Sequence, residues 1–132
     1  MLPRITANVS LHPQSGDDPL GDYLASLERL RKYAGSPALP GHEWRFDHLG
    51  ERLDRIAEHH ERRLDEAEGV VAAGAETVWE VATRLTWSRP WDEIQGFMRR
   101  AAIGETFAHL VVLERRGRLV RRGRHPSRWR RP

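Results

Sequence analysis

The stretch LPGHEWRF, Leu39 to Phe46, places a Pro-Gly-His turn at the end of a short apolar run. Pro40 restricts its own φ and Gly41 accepts almost any, so the imidazole of His42 stands where the chain changes direction. Ala38 to Gly41 reads as a brief strand or turn leading into that histidine. The stretch is bounded by helix signals, Gly35 and Pro37 ending one helix upstream and Asp47 standing where a second helix needs a cap.

Working towards the N-terminus, Asp18 followed by Pro19 is a cap and first-turn pair, and Leu20, Leu24, Leu27 and Ala34 share one helical face with Leu30 beside them. Residues 3–16, with Asn8, Ser10, His12, Pro13 and Gly16, alternate poorly and read as an extended segment or loop. Towards the C-terminus, Leu49, Leu53, Ile56, His60, Leu64, Ala67 and Val71 follow the three-four spacing of an amphipathic helix that Gly74 ends. Its other face, Glu51, Arg55, Glu58, Arg62 and Asp65, alternates in charge at ion-pairing distance along the helix.

Thr77 and Glu80 have capping-box spacing and predict a short helix to about Leu85. After the TWSRPW loop, a long helical pattern runs from about Asp92 to Arg116, with Gly96 and Gly104 as points where it starts or kinks. Beyond Gly117, Arg118 to Arg122 and Ser127 to Arg130 predict two strands of a small hairpin around residues 123–126. Helix, helix, long helix, hairpin is the order of a winged-helix domain.

The 132 residues have the length of one domain, and zero cysteines exclude disulfides and thiolate metal sites. No apolar run approaches the roughly 20 residues needed to cross a bilayer, so the expectation is a soluble cytoplasmic protein that makes no use of a membrane. The net charge of +3 hides a division. Residues 1–114 hold 13 Arg and Lys against all 19 Asp and Glu, net −6, whereas residues 115–132 hold nine Arg and no acid, net +9.

LPRITANVSLHPQSGDDPLGDYLASLERLR (Leu2 to Arg31), LPGHEWRF, HHERRL (His59 to Leu64), TWSRPWDEIQGFMRRAA (Thr86 to Ala102) and GETFAHL (Gly104 to Leu110) occur in that order. Together they resemble the C-terminal portion of bacterial metallo-β-lactamase-fold hydrolases, the branch with a winged-helix-like extension that also includes endoribonuclease-like members. In that superfamily a turn of the LPGH kind carries the last histidine ligand of a dinuclear metal site. The resemblance therefore implies that His42 is a metal ligand of the complete parent, with zinc as cofactor.

The HxHxDH cluster that supplies most of the superfamily's ligands is absent from the 132 residues. By the resemblance, Met1 falls just beyond a Gly-Asp-His segment, at a place where relatives often carry Val. A start codon read at a Val position, a deliberate shortening and a genuinely short gene all fit. Many relatives also have Gly after the metal histidine, where this chain has Glu43.

The resulting expectation is a mainly α chain with a small α/β remnant. Residues 1–48 would be the end of a metallo-β-lactamase-fold domain, 49–122 a winged-helix-like domain and 123–132 an Arg-rich tail. In the complete enzyme the family implies a metal-activated hydroxide attacking an ester, thioester or phosphodiester centre. The chain alone is expected to be inactive and to bind no cofactor. The competing reading is a free-standing winged-helix module that binds nucleic acid or protein.

His12, Trp44 and Arg45 are candidates to line the parental pocket, against the plainer readings of a turn residue for His12 and interface packing for the other two. His59 and His60 are adjacent on a helix and diverge by about 100°, so they cannot hold one ion from one face; His60 is expected to pack and His59 to face solvent. His48 and His109 suggest no chemistry. Trp79, Trp87 and Trp91 are expected to cluster as core. Arg99, Arg100, Arg121, Arg122, Arg124, Arg128, Trp129, Arg130 and Arg131 are the candidates for weak nucleic-acid contact, Trp129 by stacking on a base. The N-terminal segment, deprived of sheet neighbours, is expected to be loose or to associate with a second copy, leaving Val9 and Leu11 exposed.

Overall fold

The computed structural model describes residues 3, 4, 6–123 and 126–132. Four helices and one hairpin follow in chain order: α1 (Pro19–Leu30), α2 (Leu49–Ala72), α3 (Val78–Arg84), α4 (Gly96–Arg115), β1 (Val120–Arg122) and β2 (Arg128–Arg130). Single 3-10 turns follow α1 at Arg31–Tyr33 and precede α4 at Trp91–Glu93.

Most helix ends obey local chemistry. Asp18 accepts the Gly21 amide at 2.9 Å, which satisfies one free N–H of α1. At α3, Thr77 Oγ1 accepts from the Glu80 amide at 3.2 Å while the Glu80 carboxylate accepts from the amide of Thr77 at 2.9 Å. Gly74, at φ +96, ends α2. The start of α2 differs from the expected Asp47 cap. His48 occupies the cap position without a side-chain bond, and Asp47 instead accepts from Arg45 at 3.1 Å. Tertiary structure supplies the missing acceptor, because the Gly50 amide donates to the Ala34 carbonyl at 3.1 Å.

The long C-terminal pattern is also shorter than expected, since α4 begins at Gly96 after the separate turn at Trp91–Glu93. Arg99 ties the two pieces together, its Nε donating to the Ile94 carbonyl at 2.6 Å. Further along, Ala108 to Leu113 are all buried, so α4 is covered on every side and forms the centre of the molecule. Against it pack Leu20 of α1, Leu64, Ala67 and Val71 of α2 and Val81 of α3, joined by Leu119 and Trp129 from the hairpin region. One core thus draws residues from all three stretches 1–48, 49–122 and 123–132. Among the described residues no helix is long and apolar enough to cross a membrane.

The N-terminal segment is not loose. It runs along α4, where the Leu11 amide donates to the Gly104 carbonyl at 2.9 Å and Ser10 Oγ donates to the Ala101 carbonyl at 3.1 Å. Gly104 permits this approach rather than kinking the helix, for a Cβ there would lie 2.9 Å from Ser10 Cβ. Val9 and Leu11 are accordingly packed against the core rather than exposed.

The hairpin pairs Val120 with Arg130, Arg121 with Trp129 and Arg122 with Arg128 in antiparallel register. Trp129 has no exposed surface, meets Phe107 edge-on at 5.5 Å and donates its backbone N–H to Glu76 at 2.8 Å. It pins the hairpin to the helices.

Candidate functional site

The LPGHEWRF turn is held at its base and open at its tip. Ala38 and Phe46 form an antiparallel bridge with hydrogen bonds of 2.8 and 3.2 Å. Both also pack against the second apolar cluster, Leu27, Leu49, Leu53 and Ile56, which joins α1 to the start of α2. Residues 39–45 therefore project from a firm stem, and His42 at the tip is exposed, with no hydrogen-bond partner among the described residues.

Glu43 has φ +66 and is the one non-glycine residue with positive φ among those described. That left-handed conformation crowds Cβ against the following carbonyl and favours glycine. The position thus has a glycine-like backbone with a side chain that suits it poorly. Trp44 is half-exposed with the Arg4 guanidinium 4.5 Å from its ring centre, and Arg45 is exposed and paired with Asp47.

The structure does not gather the other pocket candidate onto this turn. His12 is exposed in a tight turn, its backbone N–H donating to Ser15 Oγ at 2.9 Å. It lines an open groove of about 930 Å³ with Phe107, Glu114, Arg115 and Arg121, and neither His42, Trp44 nor Arg45 belongs to that lining. Among the described residues no three His, Asp or Glu side chains come together in a way that could hold a metal ion. The residues present do not fit a dinuclear zinc site, since His42 is one donor where about three or more are required.

A second histidine site lies in the core. His60 of α2 and His109 of α4 are both buried, His60 Nδ1 lying 3.2 Å from His109 Nε2. His109 Nδ1 lies 2.8 Å from the Glu105 carbonyl oxygen, which only accepts, so that nitrogen carries the proton. In the neutral pair His109 Nε2 must then accept from His60 Nδ1–H, which leaves His60 Nε2 as a bare lone pair without a partner. Burial pushes His60 down to about 3, helped by His109, His59 and Arg63, and pushes His109 down to about 4. A proton on His60 Nε2 would be a buried charge with no acceptor.

The surroundings of the pair are polar. Glu105 accepts from Asn8 Nδ2 at 2.7 Å, lies 3.8 Å from Arg63, and has its carboxyl raised by burial. The Tyr23 ring meets His60 edge-on at 5.7 Å. His60 is a packing residue, as its stripe implied, whereas its neighbour His59 is half-buried rather than fully solvent-facing. His109 was the missed member. The signal was the apolar run on both sides of it, which forces any residue between Ala108 and Leu113 indoors.

Trp79, Trp87 and Trp91 do cluster, with ring centres 5.6 and 6.1 Å apart and Arg63 stacked on Trp87, but at the surface rather than as core: Trp79 is half-exposed and the other two are half-buried. The nucleic-acid candidates divide. Trp129 is core, so no face of its ring is free to stack on a base. Arg99 is half-buried and bound to the backbone at Ile94 and Trp91. Arg100, Arg121, Arg122, Arg128, Arg130 and Arg131 are exposed, and Arg124 lies outside the described residues.

No family model matches the chain, and no curated protein matches it either. Among solved structures it is similar to a metallo-β-lactamase family protein from Thermus thermophilus, at 30% identity and a TM-score of 0.78. It is also similar to a β-lactamase domain protein from Burkholderia ambifaria, at 30% identity and a TM-score of 0.86. Each likeness covers 99% of this chain and 39% of the other, so the chain spans about two fifths of the length of these relatives. The likeness supports the metallo-β-lactamase superfamily and agrees with the helical architecture described above.

Proposed function

We propose that this chain is the C-terminal part of a metallo-β-lactamase-fold hydrolase, that His42 is one metal ligand of the complete protein, and that the 132 residues alone do not catalyse hydrolysis. The observation that carries this reading is the turn itself. An exposed, unpartnered imidazole sits at the tip of a stem anchored by Ala38 and Phe46, followed by a residue in a glycine-like conformation. The tip of the turn costs backbone strain at Glu43, and the His42 side chain makes no contact that the described residues use. In this reading α2, α3, α4 and the hairpin form the winged-helix-like extension. Zinc belongs to the complete protein, where most of its ligands would come from residues that this chain lacks.

The test is turnover of lactam, lactone, thioester and RNA substrates by the purified chain with zinc or manganese supplied. No activity is expected. Turnover abolished both by a chelator and by His42→Ala would overturn the proposal. One observation favours the second reading, a free-standing interaction module: the N-terminal segment is docked on α4, with Val9 and Leu11 packed against the core. Under that reading His42→Ala would be silent even when the rest of a hydrolase is supplied.

A further inference from the structure

The Arg-rich end of the chain is two populations rather than one. Arg115 pairs with Asp18 at 3.4 Å, Arg116 with Glu61 at 2.9 Å, Arg118 with Asp65 at 2.7 Å, Arg121 with Glu114 at 3.1 Å and Arg128 with Glu76 at 2.5 Å. Each of these acids belongs to the acidic body, and the pairs fasten the end of the chain to it. Arg122, Arg130 and Arg131 have no acidic partner among the described residues.

The hairpin register decides where two of them point. Residues directly opposite in an antiparallel pair share a face, and successive residues alternate. Trp129 is buried and opposite Arg121, so the pairs Val120 with Arg130 and Arg122 with Arg128 lie on the other, outward face. Arg122 thus stands directly across the two-stranded ladder from Arg128, whose charge is offset by Glu76. Arg130 stands two residues from Arg128 on the same face, about 6.8 Å along the strand. Arg128 is paired with Glu76, whereas among the described residues Arg122 and Arg130 have no acidic partner.

We propose that the outward face of the hairpin, Arg122, Arg128 and Arg130 with Arg131 beyond it, is a docking surface for the phosphodiester backbone of nucleic acid. A chain of regularly spaced single negative charges engages such a row together, and guanidinium groups match phosphate oxygens two at a time. The apolar content of the face is the half-buried Val120, which offers nothing to insert between lipids, whereas the aromatic ring of the hairpin is locked in the core. Contact is therefore to backbone and independent of base sequence. The proposal does not rest on the metal-ligand role of His42 and uses no residue of its turn.

The experiment is fluorescence anisotropy of the whole chain with a fluorescein-labelled oligo(dT) of about 20 nucleotides and with a duplex of about 20 base pairs, between about 50 and about 300 mM salt. Binding is expected at about 10⁻⁴ to 10⁻⁶ M at physiological salt, with a log–log salt slope of about −2 to −4 for three or four phosphate contacts. The double variant Arg122→Gln/Arg130→Gln should make the slope shallower by about 1.4 to 1.8 and weaken binding at least fivefold, while Arg100→Gln changes neither. Because Arg122 has no partner to lose, its replacement should leave the melting temperature at low salt unchanged or slightly raised, which separates lost contact from lost fold. The proposal is overturned by an unchanged slope in the double variant, by no binding at low salt, or by tighter binding to vesicles containing phosphatidylserine than to either oligonucleotide.

Discussion

His42 stands on an exposed turn with no partner among the described residues, whereas His60 and His109 are buried between α2 and α4 and bonded to each other. At the turn the cost lies in the backbone, in the left-handed conformation of Glu43. At the buried pair it lies in ionisation, since both imidazoles are held neutral far below their ordinary titration range. The comparison separates a histidine that the fold uses from one that it does not. His60 and His109 pack and bond to each other, whereas His42 is left open on its stem, as the proposed ligand role requires.

The largest test of that contrast is truncation. His109→Ala removes a buried ring and leaves His60 Nδ1–H without its acceptor, so it should lower stability by about 3 kcal/mol in urea denaturation. His42→Ala should stay within about 0.5 kcal/mol of the parent chain, as expected for an exposed side chain without contacts. Equal effects of the two substitutions would erase the distinction.

A second effect, comparable for the two histidines together, should appear on acidification. The pair has folded-state values below the ordinary histidine value near 6.5, so its contribution is complete above that pH and is lost as pH falls towards the folded values of about 3 and about 4. Between pH 7 and pH 5 the loss is about 2 kcal/mol for each histidine kept neutral. Glu105 works in the opposite sense. Its raised carboxyl contributes below its unfolded value and loses that contribution as pH rises through the folded one, which softens the acid end of the profile. The variant His60→Leu/His109→Leu replaces both partners by apolar groups and should flatten the profile between about pH 7 and about pH 5. A profile as steep as that of the parent would place the sensitivity elsewhere.

Smaller is the effect of the backbone at the turn. Glu43→Gly should raise stability by about 0.5 to 1 kcal/mol, relief of the left-handed strain outweighing the added freedom of the unfolded chain. A loss of stability would mean that the Glu43 side chain contributes more than its backbone costs.

Much of the helical frame was legible because its signals are local. The Asp18 cap, the Thr77 and Glu80 box and the stop at Gly74 each depend on a few neighbouring residues, and each stands where the pattern placed it. Asp47 failed as a cap because the competing acceptor, the Ala34 carbonyl, lies 16 positions from Gly50 and carries no local signature. The docking of residues 8–11 on α4 was hidden for the same reason, since Gly104 reads equally well as a kink and as a contact surface. Trp129 was misplaced by composition. Arginines on both sides made its segment look solvated, yet in a strand the alternation alone puts Trp129 on the face opposite to Arg128 and Arg130. The groove at His12 is lined by residues of α4 and includes none of the turn that carries His42.

The central claim, that the His42 turn is a metal-ligand position completed by residues outside this chain, is tested most directly by supplying those residues. The portion of the Burkholderia ambifaria protein that this chain does not match, joined ahead of Met1, should give a protein whose zinc content falls on His42→Ala, as read by native mass spectrometry. Zinc content unchanged by His42→Ala in a folded, zinc-loaded chimera would contradict the account.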